Sequence, residues 1–397
     1  MRMAFLSIHS SPLGKAGGKN TGGMSTYLRG LSEALGAAGY KVDLFTRAVG
    51  TGDEGISQLS ENVRLIAPDD GNGPLAKGDI YPYCPEFAAA VDQFRLRDRS
   101  RYDIIFSHYW LSGCVGRVLE AKWQVPHLIM FHTLGRAKNE ACSGENEPYL
   151  RIAEEEKLAR SCSLVVAAAQ QEKDKILAYF KLSPEKVAVI PCGVDRNLFR
   201  PRGRQRAKEQ LGLAGRSVIF AVGRIEPVKG FDLLIEAAGL LPEEEDFRVI
   251  IAGGGDQSRP CIAALKKTAA TLGIAGRVDF RGIIEHRDLP LYYSAADVTV
   301  IPSHYESFGL VALESIACGT PAVGAPVGIL PELINRSGGR YGYLVYDRDP
   351  VSWAAKIREV LLYPEPISKS GIDKLLAPYN WADAASSLTG LVVKLKP

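Results

Sequence analysis

Glu306 and Glu314 stand eight residues apart at the ends of one stretch, YESFGLVALES (305–315). Only Ser307 is polar between them. Paired carboxylates can move protons, hold sugar hydroxyls or cap a helix. FGLVAL has the periodicity of a buried helix, and a carboxylate inside such a helix needs a partner. A helix beginning near Ser307–Gly309 puts Glu306 just before it and Glu314 inside it. It also turns the free N–H groups of Phe308, Gly309 and Leu310 outward, as an anion or hydroxyl site. A second candidate is GRIEPVKG (223–230), where Arg224 and Lys229 flank a turn containing Pro227. A guanidinium fork and an ammonium point charge together suit a diphosphate; two solvated cations are the plainer reading. A third is GGKNTGGMSTY (17–27), where Gly22 and Gly23 precede a helical pattern. It fits neither the P-loop nor the dinucleotide spacing, and reads as an anion- or sugar-binding loop or a plain flexible one. His9, His108 and His132 each end a strand pattern, without metal-ligand spacing. The acidic DRD at 347–349 precedes a helix and reads as a polar loop.

These residues need elements to position them. Short apolar runs such as MAFLSIH (3–9), YDIIFSH (102–108) and HLIMFHT (127–133) alternate with helical patterns. The rhythm restarts at SVIFAVGR (217–224) and continues through FRVIIAGGG (247–255), DVTVIPS (297–303) and TPAVGAP (320–326). Two successive βα series imply two doubly wound parallel sheets. The polar, basic segment 193–212 between them shows no strand pattern and reads as a domain linker. Ligands of such sheets bind beyond the C-terminal strand ends, where the candidates above fall.

Composition narrows the class. The 397 residues are 46% hydrophobic and 23% charged, with net charge +3. This is ordinary globular composition, and the length suits two domains. The densest basic run, FRLRDRSRY (94–102), reads as a solvated helix face. No nucleic-acid partner is expected; peripheral membrane contact and a homodimer stay open. Seven dispersed cysteines without a CxxC argue for reduced thiols, a cytoplasmic location and no structural zinc. No segment reaches the ~18 apolar residues of a membrane helix, and the first apolar run is too short for a signal peptide.

VGRIEPVKGFDLLIEA and SHYESFGLVALESIACGTPAV, with the Gly-rich loop, resemble the retaining glycosyltransferases of family 4. The resemblance spans essentially the whole chain. It implies the α/β fold called GT-B, with two doubly wound Rossmann-like domains facing a deep cleft. Residues 1–197 would bind the acceptor and 198–377 the nucleotide sugar. A C-terminal helix within 378–397 would cross back to the first domain. Finer similarity, in SHYWLSG (107–113), FHTLGRAKN (131–139) and EPYLR (147–151), points to the mycothiol glycosyltransferase and sucrose-phosphate synthase group. That group moves a sugar from a nucleotide donor to a phosphorylated polyol or sugar.

The resemblance also implies roles. Lys77, Tyr109, Thr133 and Arg151 would take the acceptor phosphate, with His9 and the Gly22–Gly23 loop between donor and acceptor. Arg224, Lys229 and the helix start at Gly309–Val311 would neutralise the leaving diphosphate. Glu306 would hold the sugar hydroxyls, His132 the sugar and Glu314 the ribose. Ser307, Phe308, Leu310 and Ile284 complete the expected donor-binding set. Ile284 stands where the mycothiol enzymes carry an Arg near the base, and Ser25 where they carry an Asn. The expected donor is a UDP sugar, transferred with retention by front-face attack. Mg2+ is compatible with this chemistry without being obligatory. The competing readings are a glycosyltransferase acting on a membrane lipid or glycan, a nucleotide-sugar 2-epimerase, and a catalytically silent nucleotide-sugar binder.

Overall fold

In the first half of the chain, apolar runs form an eight-stranded sheet. Its strands are β1 (Arg2–Leu6), β2 (Lys41–Phe45), β3 (Gly55–Ser60), β4 (Val63–Ala67), β5 (Ile104–His108), β6 (His127–Met130), β7 (Leu164–Ala167) and β8 (Val187–Val189). The order is β3-β4-β2-β1-β5-β6-β7-β8, parallel except for β3 on β4. The computed structural model describes residues 1–11, 22–47, 55–73, 75–141, 146–255, 258–364 and 367–395. Residues 17–21 of the expected loop at 17–27 therefore lie outside the described residues, as does Cys142.

The second half builds a six-stranded, wholly parallel sheet. Its strands are β9 (Ser217–Val222), β10 (Phe247–Ala252), β11 (Val278–Gly282), β12 (Val298–Ile301), β13 (Ala322–Gly324) and β14 (Gly342–Leu344), ordered β11-β10-β9-β12-β13-β14. Strands β5, β6, β7 and β12 are buried at every residue, as central strands covered by helices on both faces must be. Each sheet reverses its winding direction once, between β1 and β5 in the first and between β9 and β12 in the second. A crevice opens beyond the C-terminal strand ends at each such point.

The two lobes touch through those ends. Leu134 N–H donates to the Tyr305 hydroxyl at 3.3 Å, and the Ser307 hydroxyl donates to the His132 carbonyl. Val228 and Tyr305 of the second lobe belong to a core cluster otherwise drawn from the first. The last helix, Trp381–Leu395, lies against the first, Gly23–Ala37. A Cβ on Gly30 would meet the Trp381 ring at 2.2 Å, so only glycine allows that approach.

Three elements escape the sequence patterns. The β3–β4 pair sits at a sheet edge, where β3 (GISQLS) is largely exposed and has no apolar run to read. β14 is three residues long. The segment 193–212, expected to be plain linker, contains the helix Arg204–Gln210. Its apolar side is a single buried alanine, too little for periodicity to register.

Candidate functional site

β1 and β5 end beside each other, delivering His9 and His108–Tyr109 to one place; β6 adds His132 and Thr133. Tyr109 is the centre of the first-lobe group. His9 lies 4.4 Å from it, ring to ring; Lys77 Nζ is 4.4 Å and the Arg151 guanidinium 4.8 Å from its centroid. Arg151 in turn donates to the Thr133 carbonyl and hydroxyl at 2.7 and 2.9 Å. The four residues expected at an acceptor phosphate therefore meet, with His9 beside them. Tyr109 has φ 78° and His132 φ 59°, a region costly to non-glycine residues. Tyr109 is pinned there by its N–H on the Met130 carbonyl and by Gly113 N–H on its own carbonyl.

The two first-lobe cations differ in their surroundings. Arg151 is 2% exposed and bound by Glu155 and Glu147, each at 2.7 Å. Burial opposes its charge, and Glu155, Tyr109 and Glu147 outweigh that and hold its pKa above the ordinary value. Lys77 has no ion pair among the described residues. Burial and the neighbouring Arg151 charge push its pKa down to about 8. Burial likewise keeps His9 and His108 far below the ordinary imidazole range and brings His132 down to about 3. All three rings are neutral at pH 7. His132 and His108 share a hydrogen bond, Nε2 to Nδ1, at 3.0 Å. His9 Nδ1 is buried without a partner among the described residues.

Across the cleft, β9 and β12 deliver the second-lobe group. Lys229 Nζ contacts Glu306 Oε1 at 2.6 Å, and the Ser303 hydroxyl donates to the same oxygen at 2.8 Å. Arg224 is more exposed and contacts Glu226 at 2.8 Å. Its charge still helps depress the pKa of His9 and Lys77, so the second lobe's cations act on the first lobe's wall. The helix Leu310–Ala317 starts at Gly309, φ 93°, with no side-chain cap. The first helix starts at Gly22, also uncapped. A Cβ on Gly23 would lie 3.6 Å from the Leu310 side chain, so the two helix starts face each other. Their first-turn amides have no intrahelical partners and present partial positive charge, which favours an anion between them. Phe308 is buried, and its carbonyl accepts Ile329 N–H at 2.6 Å.

Glu306 and Glu314 do not share a site of action. Glu314 is buried, accepting from the Tyr293 hydroxyl at 2.8 Å and meeting His286 Nε2 at 3.2 Å. Ile284 is half-buried on the core near that group's strand. His286, Tyr293, Ser303, Glu147 and Glu155 escaped the sequence reading. A scan of strand ends finds His286, four residues beyond β11, and Ser303, two beyond β12. Tyr293 and Glu155 lie within helices and Glu147 just before one, so none carries such a signal. The DRD segment works as a loop and cap: Asp349 accepts Val351 N–H at 3.0 Å and Asp347 accepts Asp349 N–H at 3.1 Å. Among the described residues no three His, Cys, Asp or Glu side chains group around a metal position, and no helix is long and apolar enough to cross a membrane.

The comparisons follow the same two-part division. Residues 21–198 match the model described as Glycosyltransferase Family 4, and 203–370 the one described as Glycosyl transferases group 1. The chain is 36% identical to a D-inositol 3-phosphate glycosyltransferase of Geodermatophilus obscurus, over 98% of this chain and 88% of that one. A protein of the same name from Mycolicibacterium gilvum is also 36% identical, with the same coverage. Among solved structures, sucrose-phosphate synthase from Thermosynechococcus elongatus superposes with a TM-score of 0.89 at 30% identity, over 99% of this chain and 98% of that one.

Proposed function

The chain belongs to the family 4 glycosyltransferases, and from that premise we propose that it moves a hexosyl group from a nucleotide-diphosphate sugar to a small phosphorylated polyol or sugar. One observation carries the reading: Lys77, without an ion pair among the described residues, feels the charge of Arg224 from the other lobe, which also carries the Lys229–Glu306 pair, while two uncapped helix starts face each other. The relatives' names, D-inositol 3-phosphate glycosyltransferase and sucrose-phosphate synthase, put a phosphorylated acceptor first. The donor to try first is a UDP sugar.

In this mechanism the bond from the anomeric carbon to the diphosphate oxygen breaks while an acceptor hydroxyl attacks on the same face. The acceptor's proton passes to the departing diphosphate oxygen, and configuration is retained. A diphosphate is already a good leaving group, so the enzyme neutralises charge more than it donates protons. Arg224, Lys229 and the amides at Gly309–Val311 do this; deleting one such donor in other enzymes costs ~10²–10³ in rate. Glu306 turns from Lys229 to the sugar hydroxyls. His132, neutral, offers a hydrogen bond instead of a charge. Glu314, steered by Tyr293 and His286, accepts from the ribose. Lys77, with Tyr109 and Thr133, holds the acceptor phosphate over the buried Arg151. Among the described residues six cysteines are free, five of them buried, which suits a reducing compartment, and we assign the chain to the cytoplasm.

The test is product analysis with a UDP sugar and either D-inositol 3-phosphate or fructose 6-phosphate. The expected result is a phosphorylated glycoside with one of them. An altered nucleotide sugar without acceptor would establish the epimerase instead, and product formed only with lipid vesicles the lipid acceptor.

A further inference from the structure

The helix Arg204–Gln210 sorts its polar residues onto different faces. Arg204 and Lys208, one turn apart, reach Asp297 at 3.6 and 2.7 Å, and Lys208 also donates to the Arg216 carbonyl at 2.6 Å. Arg206 and Gln210, also one turn apart, instead line a cavity of 680 Å³ with Arg200, Arg202 and Lys369. An adjoining cavity of 280 Å³ shares Arg200 and Lys369 and adds Arg196 and Asp373. Asp373 is the one carboxylate lining either space, and Arg196 already holds it at 2.7 Å. Among the described residues, the side chains of Arg200, Arg202, Arg206 and Lys369 have no hydrogen bond or ion pair.

Five cations against one carboxylate is a large local imbalance in a chain whose net charge is only +3. Ordinary solvated cations stand apart; these converge on one concavity. The backbone fixes them there: Arg202 N–H donates to the Ser294 hydroxyl at 3.2 Å, and Pro201 packs against Gly319. All four cations of the larger cavity are exposed and open to a ligand, and forked guanidinium groups match phosphate oxygens two at a time. The larger cavity has the size of a small-molecule site. A concave wall fits a compact anion better than a membrane plane.

We propose that this cavity binds a soluble, multiply phosphorylated small molecule. It lies where the segment joining the two sheets meets the helix Lys369–Leu376, so its occupant ties that connection together. None of the residues assigned to the cleft takes part.

The test is calorimetric titration of the full chain with inorganic tripolyphosphate at an ionic strength of about 0.15 M, where weak surface attraction is screened. Wild type and Lys229→Ala are expected to bind alike. The double variant Arg200→Glu/Arg206→Glu is expected to bind roughly tenfold more weakly or worse, while melting near the wild-type temperature. If the double variant does not fold, Arg206→Gln alone is expected to show the same loss in smaller measure. Unchanged affinity in the arginine variants overturns the proposal, as does absence of binding to wild type. Loss in Lys229→Ala alone would place the anion in the cleft. Vesicles of phosphatidylglycerol captured through the same arginines, without tripolyphosphate binding, would assign the surface to lipid and overturn the soluble ligand.

Discussion

Lys229 meets the Glu306 carboxylate at 2.6 Å, whereas Lys77, on the opposite wall, has no ion pair among the described residues and lies over the face of Tyr109 at 4.4 Å. The second-lobe wall keeps its charges paired: Lys229 with Glu306, Arg224 with Glu226, and Glu314 with Tyr293 and His286. In the proposed mechanism an arriving donor would exchange one set of partners for another, at little desolvation cost. The first-lobe wall holds a cation with no ion pair among the described residues, beside three neutral imidazoles. Such a surface is costly when empty and is relieved by an anion. Arg151 is the exception on that wall. Its two glutamates make it a buried support beneath Tyr109 and Thr133 as much as a ligand.

The largest expected effect follows from that exception. Arg151→Ala strands the buried Glu155 without its cation, while Glu147 keeps Lys138, and breaking a buried pair from one side costs about 3–5 kcal/mol. Chemical denaturation should show that loss before any kinetic effect can be read. A variant of wild-type stability whose acceptor KM alone rises would mean that Arg151 works mainly as a phosphate clamp. Next in size is Lys229→Ala. Its pair is partly solvated and Glu306 keeps Ser303, so stability should change little, while transfer falls by about 10²–10³. Near-normal turnover in single-turnover assays would break the diphosphate assignment and, with it, the contrast between the walls.

The contrast explains what the sequence could reveal. Parallel strands buried on both faces write themselves as continuous apolar runs, so both sheets were readable, and with them every residue just after a strand. Arg224, Lys229, Glu306 and the strand-end histidines were found that way. Edge strand β3 and the helix Arg204–Gln210 bury too little to leave a period. Partners contributed by a different element were equally silent. Nothing local says that Tyr293 and His286 converge on Glu314, or that Arg151 meets two carboxylates of its own helix and the chain just before it instead of open solvent.

A smaller effect probes the unpaired cation itself. Lys77→Ala removes the charge without stranding a carboxylate, so the fold should tolerate it. The acceptor KM should rise about ten- to a hundredfold, the range of a hydrogen bond to a charged group, while donor hydrolysis stays unchanged. Because burial and Arg151 bring the Lys77 pKa to about 8, wild type should also lose acceptor affinity as pH rises past 8. Lys77→Arg should keep affinity at that pH. A flat acceptor KM from pH 7 to 9 would return the phosphate to Arg151.

The smallest effect comes from the imidazoles of the same wall. Burial depresses the pKa of His9, His108 and His132 in the folded protein, His132 to about 3. Unfolded, each titrates near 6.5. Between those values the unfolded chain binds the extra proton and the native one does not, so stability rises with pH. It is therefore lost as pH falls below about 6.5, by at most about 1.4 kcal/mol per pH unit for each ring. Replacing one ring, as in His108→Asn, should flatten the fall in denaturation midpoint between pH 6.5 and 5 by one ring's share. If His108→Asn leaves the slope unchanged, the His108 ring has the same pKa folded as unfolded, and burial does not depress it in this wall.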